Sequence, residues 1–252
     1  MKNTAFFIGF MLGYILFVSS CKSPDKHEIN TLPLPTLKAA DYFKSGVQKA
    51  DSGNYKEAIG FYDMAIEIYP KFATAYYYRG LAKFKIVEYQ NAINDFSQAI
   101  KLNPEFEEAY LKRGAVKAYL SDFESALNDY NTAIFLNASY APSYACRGFL
   151  YFEMKQFKKA LDDYNQALYY DPGDKETYFK RGKTFSILGD DRNALFDYDK
   201  AIELNYDSPD VYSSRGDSKY LLGDLKGACT DWKTADKMGD ALIYKTIKQL
   251  CR

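Results

Sequence analysis

The sequence is short of the residues that most catalysis and metal binding need. It contains one His in 252 residues, His27, in a Pro-containing stretch near the start. A single imidazole there all but excludes His-based metal sites and His-dependent triads within one chain. Trp also occurs once, at Trp232. The four Cys form no CxxC, there is no HExxH, and the glycines do not follow a phosphate-cradling spacing. Neither sign of charge dominates, with 33 basic and 33 acidic residues, and no basic stripe or terminal charge run is present. No strong net field therefore favours nucleic acid or an anionic surface. These absences point away from an enzyme: no catalytic residue, metal site, cofactor, nucleic-acid partner or small-molecule substrate is expected.

Long apolar runs are also scarce. The exception is Ala5 to Val18, 14 residues after Lys2. A spanning helix needs about 20, so this run suits a signal h-region. Val18-Ser19-Ser20-Cys21 follows it. An aliphatic residue, two small residues and Cys resemble the bacterial lipobox. That resemblance implies a signal peptide over 1–20 and a mature chain that starts at lipidated Cys21, with Lys22 after it. Acyl chains contribute about 0.8 kcal/mol per buried CH₂ and anchor a chain stably when there are two or more. An ordinary secretory signal or an uncleaved anchor helix are the alternatives. Residues 21–38 carry Pro24, Pro33 and Pro35 among polar residues and read as an extended linker.

From residue 39 a 34-residue period governs the chain. Gly46, Gly80, Gly114, Gly148, Gly182 and Gly216 keep that step, as do six Tyr from Tyr42 to Tyr212. Ala58 and Ala65 each begin a ladder of six with the same step. Four ladders in one register, with no insertion, define six repeats: 39–72, 73–106, 107–140, 141–174, 175–208 and 209–242. An aromatic at position 4, Gly at 8, Ala at 20 and 27 and an aromatic at 24 (Tyr62, Phe96, Tyr130, Tyr164, Tyr198, Trp232) resemble the tetratricopeptide repeat. That resemblance implies an all-α, right-handed superhelical solenoid of helix-turn-helix repeats and a role in binding protein partners. Gly costs roughly 1 kcal/mol in a helix relative to Ala, so six of them at one position imply a close approach there. Gly53, Gly189 and Gly223 fall between the two helices of their repeats, as C-caps would. The usual Pro at position 32 is kept in Pro70, Pro104 and Pro172 and replaced by Ala138, Tyr206 and Asp240, which should soften those turns.

Three further sets of residues carry expectations. Arg79, Arg113, Arg147, Arg181 and Arg215 stand at position 7, and Asp95, Asp129, Asp163, Asp197 and Asp231 at position 23. Repeat one lacks both, which suggests a structural ion-pair ladder; a row of Arg binding anionic ligands is the alternative. Assigning positions 4, 7, 8 and 11 of the first helix to internal packing leaves positions 5, 9 and 12 on or beside the opposite face, which the tetratricopeptide resemblance implies lines a concave groove. There Phe43, Val47, Tyr77, Leu81, Phe84, Leu111, Phe149, Phe152 and Phe179 form a candidate apolar groove for a peptide or helix; partial contact with the next repeat is the competing explanation. Glycan stacking on groove aromatics is the alternative function, disfavoured by the sparse Trp. The carboxylate-clamp pattern of some tetratricopeptide proteins is not matched, and Lys112 and Lys180 read as solvated.

At the C-terminus, residues 241–252 read as an amphipathic capping helix. Cys229 and Cys251 lie ten residues before and twelve after Gly239. At about 1.5 Å per residue both are nearly level, so a disulfide is expected, with two reduced small fillers as the alternative. Cys146 is left as a lone thiol. The whole reading is a lipid-anchored protein-binding scaffold in the cell envelope, at the outer membrane of a diderm bacterium.

Overall fold

The computed structural model describes residues 34–240 and 244–251. The signal peptide, Cys21 and most of the linker fall outside the described residues. Among those described, every regular element is a helix, thirteen in all. They divide between residues 139 and 140 into two compact units.

The first unit holds three helical hairpins: α1 (Leu34–Asp51) with α2 (Tyr55–Ile68), α3 (Ala73–Lys85) with α4 (Tyr89–Leu102), and α5 (Glu107–Tyr119) with α6 (Phe123–Leu136). The second repeats the plan with α7 (Ala141–Glu153) and α8 (Phe157–Tyr170), α9 (Lys175–Ile187) and α10 (Asp191–Glu203), and α11 (Pro209–Leu221) and α12 (Leu225–Lys237). A short α13 (Tyr244–Leu250) follows α12. Residues 34–38, expected in the extended linker, are instead the first turn of α1. Pro35 is no obstacle there, because first-turn N–H groups have no intrahelical partner to lose.

Each hairpin turns at position 15 through a left-handed residue. Gly53, Gly189 and Gly223 have φ of 79°, 81° and 89°, and Val87, Ser121 and Lys155 adopt the same conformation at 69°, 66° and 59°. The N–H of position 16 then donates to the carbonyl of position 11, as from Asp122 to Lys117 at 2.9 Å and from Asp224 to Lys219 at 2.8 Å. This six-to-one bond satisfies a carbonyl left over at the helix end. Asp122, Asp190 and Asp224 cap the helix that follows through their carboxylates.

Two turns at the ends of repeats differ from expectation. With no Pro at position 32, Tyr206 donates its N–H to Ala201 at 2.8 Å and Asp240 donates to Ala235 at 3.0 Å, with Asn205 and Gly239 left-handed before them. Proline has no N–H and cannot make this bond. The substitutions therefore exchange one satisfied turn for another and do not loosen the connection.

The core explains the glycine ladder. A Cβ on Gly46 would lie 2.5 Å from Cε1 of Tyr62, and one on Gly216 would lie 2.6 Å from Cδ1 of Trp232. In all six repeats the group lying on the glycine is the position-24 ring of the same repeat. The alanines at 20 and 27 are buried as well.

Candidate functional site

The first helix of each repeat buries a wider arc than the sequence pattern implied. Positions 3 and 10 go inward: Ala75 and Ala82 join Tyr62, Ala65 and Ile66 of the preceding repeat in one cluster. No repeat precedes the first among the described residues, and its equivalents Asp41 and Gln48 are exposed. That polar exception was a legible signal. The tyrosines of position 4, by contrast, are only half-buried. Tyr76, Tyr110, Tyr144, Tyr178 and Tyr212 lie 5.2–5.8 Å from the guanidinium of the Arg three residues on.

This rotation corrects the groove. Position 5 belongs to the core: Phe43, Tyr77, Leu111 and Phe179 are all buried, Tyr77 to 1% exposure. Each of the three rings packs against the position-24 ring of its repeat and against an aromatic near the repeat's end. Tyr77, for instance, lies 5.8 Å from Phe96 and 4.9 Å from Phe106. Phe84 is buried as well, 5.5 Å from Tyr89. What stays half-exposed is Val47 and Leu81 in the first unit and Phe149 and Phe152 in the second. Toward the C-terminus the same positions become Lys183 and Asp217, both exposed.

Lys112 and Lys180 are not solvated as expected. Lys112 is 4% exposed, and burial together with the nearby Lys85 charge pushes its ammonium down to about 8, against a smaller opposing effect of Glu108. Lys180 is half-buried, with Nζ 5.2 Å over the Phe149 ring and 3.7 Å from Glu176. Burial lowers its ammonium to about 8 too, although the carboxylates of Glu176 and Asp174 oppose the shift. Trp232 is buried against Gly216 and donates its indole N–H to Asp217 at 2.9 Å, so it offers no ring face to a sugar.

The Arg and Asp ladders meet rung by rung. Arg79 donates from Nε and Nη2 to the two oxygens of Asp95 at 2.9 and 2.6 Å. Arg113, Arg147, Arg181 and Arg215 grip Asp129, Asp163, Asp197 and Asp231 in the same fork, at 2.7–3.0 Å, 2.7–2.8 Å, 2.7–2.8 Å and 2.6–2.9 Å. Nη1 reaches the preceding repeat: Asp63 from Arg79, Ser97 from Arg113, Asn165 from Arg181 and Asp199 from Arg215. These four guanidiniums thus commit three nitrogens each to protein acceptors, which argues against an anion site. Burial holds the Asp163 and Asp197 carboxyls above their usual range despite the Arg beside each.

The paired carboxylate Asp190-Asp191 resolves into two structural roles. Asp190 caps α10, whereas Asp191 is buried and accepts from Ser186 at 3.1 Å and Ser218 at 2.8 Å. Cys229 and Cys251 are joined in a disulfide, with Cα atoms 5.5 Å apart, which ties α13 to α12. Cys146 is not the lone thiol expected of it: no cysteine among the described residues is free. Also among the described residues, no group of three His, Cys, Asp or Glu could hold a metal ion, and no helix is long and apolar enough to cross a membrane.

Comparison with known proteins agrees with this geometry. A tetratricopeptide-repeat family model matches residues 73–106 and 141–174, and a second model of the same repeat matches 175–208. No curated protein sequence matches the chain. Among solved structures, pilF of Pseudomonas aeruginosa is 14% identical with a TM-score of 0.78, over 85% of this chain and 98% of that one. A tetratricopeptide repeat protein of Parabacteroides merdae is 22% identical with a TM-score of 0.62, over 86% and 85%. YrrB, described as having an unusual peptide-binding site, is 25% identical with a TM-score of 0.53, over 67% and 87%. The matching models are repeat models, and none is of a catalytic family. Residues 73–106 and 141–208 are thus tetratricopeptide repeats by family model, and the paired helices around them share the fold of the solved tetratricopeptide solenoids.

Proposed function

We propose that the chain is a membrane-anchored scaffold that holds a peptide or helix of a protein partner on the inner faces of its first helices. Tetratricopeptide repeat proteins generally mediate protein–protein interactions. The observation that carries the reading is that Leu81 and Val47, and separately Phe149 and Phe152, stay half-exposed after the core has formed. Solvated helix positions should be polar, and persistent apolar ones mark contact surfaces. Half-buried Lys180, whose ammonium lies over the Phe149 ring, adds a cationic group beside the second-unit pair. Anchoring rests on Val18-Ser19-Ser20-Cys21 after the short apolar run, and Lys22 after the lipidated Cys is compatible with sorting to the outer membrane.

A photo-crosslinking residue at 81 or at 149 in intact cells should trap one defined protein, and the adduct should disappear on Val47→Ser or Phe152→Ser with helical circular dichroism retained. Adducts indifferent to those changes would overturn the groove. A clickable palmitate analogue should label the wild type and not Cys21→Ala; equal labelling would overturn the anchor.

A further inference from the structure

The balanced net charge conceals a segregated edge. In the second unit, the turns inside the last two repeats carry Ile187, Leu188, Leu221, Leu222 and Leu225, all exposed, Leu221 to 65% and Ile187 to 52%. The two turns lie side by side, because Ser218 at the end of one hairpin donates to Asp191 at the bend of the other. Large aliphatics at such bends are unexpected, since water-facing turns are ordinarily polar.

The charges beside them are not neutral in effect. Lys155, Lys158, Lys159, Arg192 and Lys226 are exposed at the bends and in the first turns of α8, α10 and α12. The acids of the same stretch point elsewhere. Asp190 and Asp224 turn back onto the helix N-termini they cap, Asp191 is buried on its two serines, and Glu153 is half-buried. In the first unit, whose bends also expose Val87 and Leu120, the charge is opposite: Asp51, Glu57, Glu88 and Glu124 outnumber Lys56 and Lys85, with Asp122 turned back as a cap like Asp190 and Asp224.

We propose that this turn edge of the second unit docks on an anionic phospholipid surface, its aliphatic tips entering the headgroup region and its basic side chains pairing with lipid phosphates. The composition separates a bilayer from a protein partner. Energetic centres of protein interfaces favour Trp, Tyr and Arg set in pockets and are poor in Leu, whereas interfacial membrane binding combines aliphatic insertion with Lys and Arg. These side chains stand on bends and not in a groove, so a deformable surface can meet all of them at once. The proposal does not depend on the groove reading, and it holds whichever way the first 33 residues reach the membrane.

Hydrogen–deuterium exchange of the full chain tests it, with phosphatidylcholine vesicles compared against vesicles that also contain phosphatidylglycerol. Recruitment through the first 33 residues enters both arms. Amides of 186–192 and 220–227 should slow about fivefold or more only with phosphatidylglycerol, the factor that even one basic side chain at an anionic surface supplies. Amides of 86–91 and 120–125 in the first unit should not respond. The protection should be lost in Leu221→Ser/Leu222→Ser and, independently, in Lys158→Glu/Lys226→Glu. Equal exchange in both vesicle types, or the same protection from a soluble acidic polypeptide without vesicles, would overturn the proposal, the latter result assigning the edge to an acidic protein.

Discussion

Two glycines of the first repeat should respond to alanine in opposite directions. Gly60 lies inside α2 with nothing within 4 Å of an added Cβ. Gly60→Ala should therefore stabilise by about 1 kcal/mol, the ordinary gain in helix propensity. Gly46 gains the same propensity, but its Cβ would meet Tyr62 at 2.5, 2.7 and 3.1 Å. Comfortable carbon contacts lie at about 3.5–4.0 Å, so one partner must move by roughly 1 Å. The ring has nowhere to go: it is fully buried, with Phe43 at 5.7 Å and Tyr78 at 6.3 Å between centroids. Overpacking of this kind costs about 1–3 kcal/mol, and the short contact places Gly46→Ala near the upper end. After the propensity gain, a net loss of about 1–2 kcal/mol remains. Gly148, where the nearest ring atoms would be at 3.0 Å, should be the mildest of the six. Repeat arrays can unfold in parts, so melting should be followed by circular dichroism together with exchange of α1 and α2 amides. A Gly46→Ala protein as stable as Gly60→Ala would refute the account of the ladder.

Val87 holds a left-handed turn with a β-branched side chain that is 65% exposed. Val87→Gly should stabilise by about 0.5–1 kcal/mol in urea titration, the left-handed penalty of about 1–2 less the glycine entropy cost. Lys112 is the best site for pH dependence: its ammonium is lowered in the fold, so its neutral form stabilises above about 10.5 and the advantage is lost as pH falls through about 8. Lys112→Met should thus recover up to roughly 3 kcal/mol at pH 7, and its advantage over the wild type should shrink between pH 8 and 10. Cys251→Ser should cost about 3 kcal/mol locally, read as faster exchange in α12 and α13, and a reductant should reproduce it in the wild type only. For the ladder, Asp197→Leu should cost roughly 3–5 kcal/mol by stranding Arg181, and Arg181→Met/Asp197→Leu should recover part of it in a double-mutant cycle.

The sequence by itself determined the period, the helix pairs, the partnership of Arg79 with Asp95 and its equivalents, and the level at which Cys229 meets Cys251. Each of these follows from spacing along one chain, where 34 residues and a rise of about 1.5 Å per residue leave little freedom. Spacing could not say which arc of each first helix is buried. Tyr and Arg at positions 4 and 7 look like core markers, yet they are long and amphipathic and bury only their stems, while Tyr77 at position 5 is enclosed by Phe96 and Phe106 of its own repeat. The burial of Lys112 was hidden for the same reason. The left-handed turns at Val87, Ser121 and Lys155 carry no glycine to announce them; their conformation is imposed by the six-to-one bond that each hairpin needs. Tertiary structure decided these points because burial depends on what the neighbouring repeat places against a side chain, and that is not recorded in the side chain's own spacing.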